Sequence, residues 1–583
     1  MRTRAYLFIA MLYVSLGLPD LYAQEAEPGG ISTQEVLVVK SYTPSLSDAF
    51  KINGGPKIPD SLKGGTKVLT FRIKPVAVVS TFEPNKATPL KLKKRYATTP
   101  FNTFFSGGFG TLNQAYLNVS SVIELDRTQR FGLNFYRDGF GADVGDSVLK
   151  SSQSFSQFGT HHNLQSNTYN VNTQLQFTTQ RNNYFGLYDR NWDDFLLGSI
   201  NPEVARNYFK FRTYWDWFDS VVRSLSFQAN VNSDNFVTSE QQLSLGANFT
   251  TSFADGKLQA STEVQGQNSY FKESFYESQS QGYTFGLGKI NLEWLYSKNN
   301  LKLKLGAGVA YVEGDETLTT KLKYYPALEV FYQKKKSQIA PYLTAQGGVQ
   351  LATYRESALY NPYIAPSTSL RTTFTKYNAV LGVRSSLSSV LNFNFGLLYD
   401  QVENYLFYQR LPLKIKGNTD AYRLSNAFEN QYANVDLYGV KAQIRIDLAK
   451  NNFVHFETAY RHFELDDTQK LYNIPALQMS WKSQFRYKNL LTLAFNGEVW
   501  GNRPALEHVI LQSLSNESIY TEEINLPLFF RSTVHLTLRL NEQFDAFVKG
   551  KFTNSELHGQ WGYFQEPSLI LLGGITYKFD FQY

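Results

Sequence analysis

The chain has 583 residues, no cysteine, 38 Tyr and 45 Phe, and a formal net charge of +7, yet its mean hydropathy is only -0.33. The lack of cysteine excludes disulfides, a lipid-modified cysteine anchor, thiolate catalysis and cysteine-ligated metals. The basic residues are scattered rather than gathered on one face, which argues against nucleic acid as a partner. Past the N-terminus no apolar run reaches the roughly 18 residues of a membrane helix.

Residues 1–23 have the layout of a secretory signal peptide: Arg2 and Arg4 precede the apolar stretch AYLFIAMLYVSLGL, and LYA ends in the small residue that cleavage needs. Such a leader delivers the mature chain beyond the inner membrane. Residues 24–100 are rich in turn-breaking residues, with Pro28, Pro44, Pro56, Pro59, Pro75, Pro84, Pro89 and Pro100, and hold only two strand-like runs. One is EVLVVK (Glu35, Val36, Leu37, Val38, Val39 and Lys40); the other starts at Lys67. The basic run KLKKR at 91–95 either grips anionic lipid phosphates at a membrane rim or is a solvated linker.

From about Phe101 to the end, apolar and polar residues alternate in stretch after stretch, the signature of strands with two unlike faces. Leu301, Leu303, Leu305, Ala307, Val309 and Tyr311 oppose Lys302 and Lys304. Tyr438, Val440, Ala442, Ile444, Ile446 and Leu448 oppose Lys441, Gln443, Arg445 and Asp447. One long strand is expected from Ile524 to Leu540. In the last strand Ile575, Tyr577, Phe579, Phe581 and Tyr583 oppose Thr576, Lys578, Asp580 and Gln582.

Short polar connections are expected near Asp126, Arg181, Asp219, Ala254, Lys298, Lys334, Ser385, Ala449, Lys488 and Asn541, with longer, more variable ones between them. The longest should run over about 139–167, 404–429 and 501–520. Short turns at one end and long loops at the other, joining strands longer than the 9–11 residues or so that cross a bilayer, predict an all-β fold: an outer-membrane antiparallel β-barrel over residues 101–583 with about 22 strands. Both termini then lie in the periplasm, which requires an even count. A soluble sandwich, β-helix or propeller is the competing class. The odd-numbered residues of the last strand face lipid, and that strand closes the sheet onto the first.

The closing stretch YFQEPSLILLGGITYKF resembles the end of TonB-dependent receptors, where a glycine-rich final strand follows an aromatic, proline-containing loop and ends in Tyr-x-Phe. The alternation at Tyr577, Phe579, Phe581 and Tyr583 is similar to the C-terminal signal read by the outer-membrane barrel-assembly machinery. The resemblance implies a Gram-negative outer-membrane barrel that binds a substrate and transports it, with a lumen wide enough to need a plug. Residues 24–100 are too short for a full plug domain, so a reduced plug or a periplasmic extension is expected. Residues 35–40 resemble the short box through which such receptors offer a strand to the TonB energy transducer; the alternative is a strand packed inside the barrel or against its rim. A non-transporting barrel that scaffolds or anchors a surface or periplasmic partner protein is the second reading, and a diffusion porin the third.

The seven histidines are His161, His162, His455, His462, His508, His535 and His558. His161 and His162 are expected in a long surface loop, as are the acidic pairs Asp193-Asp194 and Asp466-Asp467. No nucleophile motif, metal-ligand spacing or phosphate loop accompanies them, so no catalytic, cofactor or metal site is expected. Lumen-facing Lys302, Lys304 and Lys441 are expected to pair with acidic neighbours.

Overall fold

The period-two stretches become strands that pair antiparallel along the chain, and twenty-two of them form one sheet. In this computed structural model residues 101–581 are described, apart from positions 146, 188–191, 193, 278, 336, 415–419, 466–469, 513–516 and 556–558. The signal peptide, the run at 35–40, KLKKR and Tyr583 lie outside the described residues. The first strand, Thr103–Gly110, pairs with the last, Leu569–Phe579, from Thr103↔Phe579 to Gly110↔Leu572. That pairing closes the barrel and leaves no sheet edge, which is what a spanning sheet requires where no water can bond the backbone. At the foot of the seam Asn102 donates to the Phe581 carbonyl at 2.8 Å, while its side-chain oxygen accepts from the Phe581 amide at 2.7 Å.

Side-chain exposure follows the pleat. Leu571 and Ile575 are exposed on the outer face while Ile570 and Leu572 are buried within. Aromatic residues ring the outer face at two heights. Trp215, Phe253, Tyr332, Tyr487 and Phe544 are exposed near the short turns, and Phe109, Tyr270, Tyr311, Tyr324 and Phe552 near the opposite end. An apolar wall bounded by two aromatic belts is the surface a bilayer covers.

Ten short connections lie at one end, the shortest being the two-residue turns at 254–255, 299–300 and 450–451. One differs from expectation: Arg181 is inside the strand Tyr169–Asn183, and the turn is at 166–168. Its polar neighbours are lining, not turn, since Asn182 is buried and Asn183 binds the Ser152 side chain at 3.3 Å. The loop expected over 139–167 shrinks to 141–152 because Gln153–Gln165 is a strand. The loop expected from 404 starts at Leu411, after the 20-residue strand Leu391–Arg410, and is followed by the 22-residue strand Phe428–Ala449. A strand of that length spans roughly 70 Å, so this side of the wall rises well beyond a bilayer.

The stretch from Ile524 to Leu540 is two strands. Pro527 brings no N–H to a ladder, and the chain breaks there between a separate hairpin, Arg503–Gln512 with Glu517–Leu526, and the barrel strand Phe529–Arg539. Leu526 and Phe529, on either side of the break, are buried rather than lipid-facing.

Candidate functional site: a lumen closed by its own loops

The inner wall is polar and charge-paired. Lys304 meets Glu293 at 2.9 Å and Lys289 meets Glu263 at 2.7 Å on neighbouring strands. Lys302 instead stands over the Phe331 ring at 5.9 Å, and among the described residues no carboxylate forms an ion pair with Lys441. The expected pairing therefore holds for Lys304 and not for the other two.

The long loops do not turn their aromatic residues outward. Tyr184, Phe185, Tyr354, Tyr363, Ile364, Tyr422, Trp561 and Phe564 are buried in a single core at the long-loop end. The Tyr363 and Phe564 rings stack at 3.5 Å with a 14° tilt, and Phe185 packs edge-on against Phe564 at 5.1 Å. Trp561 packs edge-on against Tyr408 at 5.3 Å and Trp500 at 6.1 Å.

The parent strands of these loops are far apart around the ring. The loop at 352–371 joins the thirteenth and fourteenth barrel strands, the loop at 554–568 joins the last two, and Arg206 lies on the sixth, Glu203–Trp217. These positions divide the circumference into nearly equal thirds, so their residues can touch only over the lumen. The mouth is capped.

Arg206 is the centre of the cap and is fully buried. It donates to the Tyr354 hydroxyl at 3.0 Å, the Pro362 carbonyl at 2.8 Å, the Ile364 carbonyl at 2.9 Å and the Tyr184 hydroxyl at 3.3 Å. A guanidinium fork can serve so many acceptors at once; an ammonium cannot. The Tyr354 hydroxyl donates in turn to Asp234 at 2.9 Å, which places a carboxylate one bond from the buried cation. Burial pushes the Tyr184, Tyr354 and Tyr363 hydroxyls well above the usual phenol range, so all three stay protonated, Tyr184 donating to the Ile364 carbonyl and Tyr354 to Asp234.

The same loop carries the short helix α1 (Tyr354–Tyr360), capped by the Thr353 hydroxyl, which accepts from the Glu356 amide at 3.0 Å. Wall residue Glu240 accepts from the Tyr354 amide at 2.6 Å and the Arg355 amide at 3.1 Å. A carboxylate there satisfies amides that have no partner within the helix. Beyond α1, Ile364 forms a parallel bridge with Phe428, the Ala365 amide donating to the Phe428 carbonyl at 2.7 Å.

The loop at 554–568 is held electrostatically. Glu566 takes Lys551 at 3.1 Å and Arg531 as a second cation. Burial raises its pKa, but Lys551 and Arg531 outweigh that and hold it below the usual glutamate range. A depressed carboxylate stabilises the fold above its unfolded pKa, about 4.3, and that contribution is lost as pH falls through the lower folded value. Acid should therefore loosen this loop, and Glu566→Gln should remove that pH dependence. Protease protection of residues 554–568 measured from pH 6 to pH 3 would check both.

His161 and His162 are not in a loop. Both lie in the strand Gln153–Gln165, a stretch too poor in large apolar residues to show its alternation. The His161 ring covers Gly132, where a Cβ would sit 1.8 Å from the imidazole, and His162 bonds Gln129 at 3.2 Å. His455 bonds Glu457 at 2.7 Å on the inner wall. Asp193, His558 and the Asp466-Asp467 pair lie outside the described residues, and Asp194 opens the six-residue helix Asp194–Ser199. Among the described residues no group of three or more His, Asp or Glu side chains is placed to hold a metal.

Of the expected assembly-signal residues, Tyr577 packs on Phe544 at 4.8 Å and stacks on Phe579 at 5.2 Å, and Phe581 is exposed at the foot of the seam.

No protein-family profile matches the chain, and no curated protein sequence does. Solved structures do. The FrpB iron transporter from Neisseria meningitidis superposes with a TM-score of 0.58 at 10% identity, covering 83% of this chain and 82% of that one. The ferripyoverdine receptor of the outer membrane of Pseudomonas aeruginosa gives 0.59 at 11%, covering 83% and 72%. The siderophore receptor PirA from Acinetobacter baumannii gives 0.57 at 10%, covering 82% and 80%. The fold is the 22-stranded barrel of TonB-dependent receptors. That fold accounts for the closed sheet and the two classes of connection. The cap over its mouth was not legible in the sequence, because burial of a loop aromatic depends on which distant loop it meets.

Proposed function

We propose that this chain is an outer-membrane receptor of the TonB-dependent type that binds a substrate and moves it across the outer membrane of a Gram-negative cell, with both termini in the periplasm. The observation that carries this reading is a closed 22-stranded barrel whose long loops fold over the lumen, on a frame shared with iron and siderophore receptors over more than four fifths of the chain. A capped barrel this wide suits gated passage and not free diffusion, which counts against a porin. No enzymatic step is assigned. The barrel-assembly machinery and outer-membrane lipid are its expected partners, with Tyr577, Phe579, Phe581 and Tyr583 as the assembly signal. Residues 24–100 serve as a reduced plug or periplasmic extension, and Glu35, Val36, Leu37, Val38, Val39 and Lys40 as the strand offered to the energy transducer.

Strand addition depends on main-chain hydrogen bonds, and proline removes a donor. The purified full chain should therefore bind the periplasmic domain of the energy transducer, and Leu37→Pro should abolish binding. If the unaltered chain shows no binding in titration calorimetry, energised transport is excluded. The second reading, a scaffold for an envelope complex, is favoured by the cap itself, whose buried Arg206 network resembles a permanent closure. Stoichiometric co-purification of a partner protein in mild detergent, together with failure to bind the transducer, would select it.

A further inference from the structure

Four neighbouring strands, Asn452–Leu465, Leu477–Tyr487, Leu491–Trp500 and Phe529–Arg539, form one stretch of the inner wall and hold a cavity of about 550 Å³. That volume is within the range of small-ligand sites. Two rows of side chains line it. Glu457, Ser480, Glu498 and Arg531 are successive partners across the four strands, and one step along so are His455, Lys482, Asn496 and Thr533. Tyr460, Phe485 and Val534, of opposite parity on their strands, are exposed on the outer face, so both rows face the lumen. Members of a row stand about 4.8 Å apart and the rows about 7 Å apart, which makes a small lattice of polar groups.

The formal charges of this lattice cancel, Glu457 and Glu498 against Lys482 and Arg531. Part of it is held in place by its neighbours. Arg531 takes Glu498 at 2.7 Å and reaches the Gln560 side chain of the cap loop at 3.1 Å, while Glu457 takes His455 at 2.7 Å and Gln443 at 3.2 Å. The rest is free: the side chains of Ser480, Lys482, Asn496 and Thr533 have no hydrogen-bond or ion-pair partner among the described residues.

We infer that this cavity is a binding site for an uncharged saccharide on the lumen wall beneath the cap. An anion would meet Glu457 and Glu498, and a cation Lys482 and Arg531, so net charge of either sign is opposed. A sugar hydroxyl both donates and accepts, and the lattice offers partners of both kinds. The carboxylates accept, the Lys482 ammonium donates, and the Ser480 and Thr533 hydroxyls and the Asn496 amide do either. At the cap end Tyr360 stacks on Trp500 at 6.2 Å, stays 46% exposed and lies within electrostatic range of Glu498. An exposed ring beside a carboxylate suits a pyranose, whose C–H face is apolar and whose rim is hydroxylated. The inference names a substrate class and so rests on the receptor reading, which transducer binding tests by itself.

Titration calorimetry in lauryldimethylamine oxide, a detergent with no sugar headgroup, tests it against maltotriose, cellotriose and chitotriose. Triglutamate, trilysine and triglycine serve as anionic, cationic and zwitterionic controls. The full chain is measured beside Arg206→Met, which lacks the guanidinium at the centre of the cap, so that a closed mouth does not limit access. At least one trisaccharide should bind, and none of the peptides. Glu457→Gln, which removes a charged acceptor, and Ser480→Leu, which fills the cavity and keeps every charge, should each weaken binding about tenfold or more. Lys302→Gln, which removes a lumenal cation that stands over Phe331, should leave it unchanged. Heat-modifiable migration on gels confirms that each variant is a folded barrel. Absence of trisaccharide binding by both proteins overturns the site. So does tighter binding of any peptide, an equal loss in Lys302→Gln, or full binding by Ser480→Leu. A chain that binds the transducer but no trisaccharide loses this site alone, and one that binds a trisaccharide but not the transducer keeps the site and loses energised transport.

Discussion

Replacing Arg206 with methionine should turn a closed barrel into a conducting one. The substitution roughly keeps the side-chain volume but removes the hydrogen bonds donated to the Pro362 and Ile364 carbonyls and to the Tyr184 and Tyr354 hydroxyls in a dry core, and leaves Asp234 without its nearby cation. Removing one member of a buried charged network costs about 3 to 5 kcal/mol, enough to populate the open mouth. Planar-bilayer current is the readout, taken in a background lacking residues 24–95 so that only the cap can close the channel. Arg206→Lys should conduct nearly as well as Arg206→Met, because one ammonium cannot satisfy acceptors spread around a fork. A non-conducting Arg206→Met channel would show that aromatic packing alone, above all Tyr363 on Phe564, holds the cap.

The second large effect concerns the seam. Gly574 pairs with Gly108, and a Cβ placed on it would lie 2.3 Å from the Gly107 carbonyl oxygen, 2.9 Å from the Gly108 Cα and 2.4 Å from the Phe547 ring. Two of those three obstacles are backbone and cannot rotate away. Gly574→Val should therefore prevent the last strand from docking on the first and abolish the heat-modifiable barrel form. Gly573→Val, on the outer face where a Cβ meets nothing within 4 Å, should assemble normally. Equal assembly of the two variants would mean that the seam tolerates a shift the geometry does not offer.

The barrel itself was legible because lipid and water act on every strand alike. Alternation at Leu301 to Tyr311 and Tyr438 to Leu448 gave faces, turn residues gave punctuation, and the parity argument gave an even count. The errors have local causes. Gln153–Gln165 has polar residues on both faces and reads as a loop, which misplaces its two histidines. Pro527 split an apparent strand because the alternation runs straight through it into the hairpin. The cap could not be found by pattern. Tyr363 meets Phe564 only because of where the ring places their parent strands.

The cap also has a mechanical consequence. A wide tube of 22 hinged staves resists stretching around its hoop, since that breaks ladder hydrogen bonds, but it has little resistance to being squeezed into an oval. Cross-bracing between three points a third of a turn apart removes that soft mode at the braced end. The barrel is therefore stiff in cross-section at the long-loop end and compliant at the short-turn end. A force applied from the short-turn side would deform the rim nearest to it and fade before reaching the aromatic core, so the cap would yield to a bound ligand more readily than to a pull.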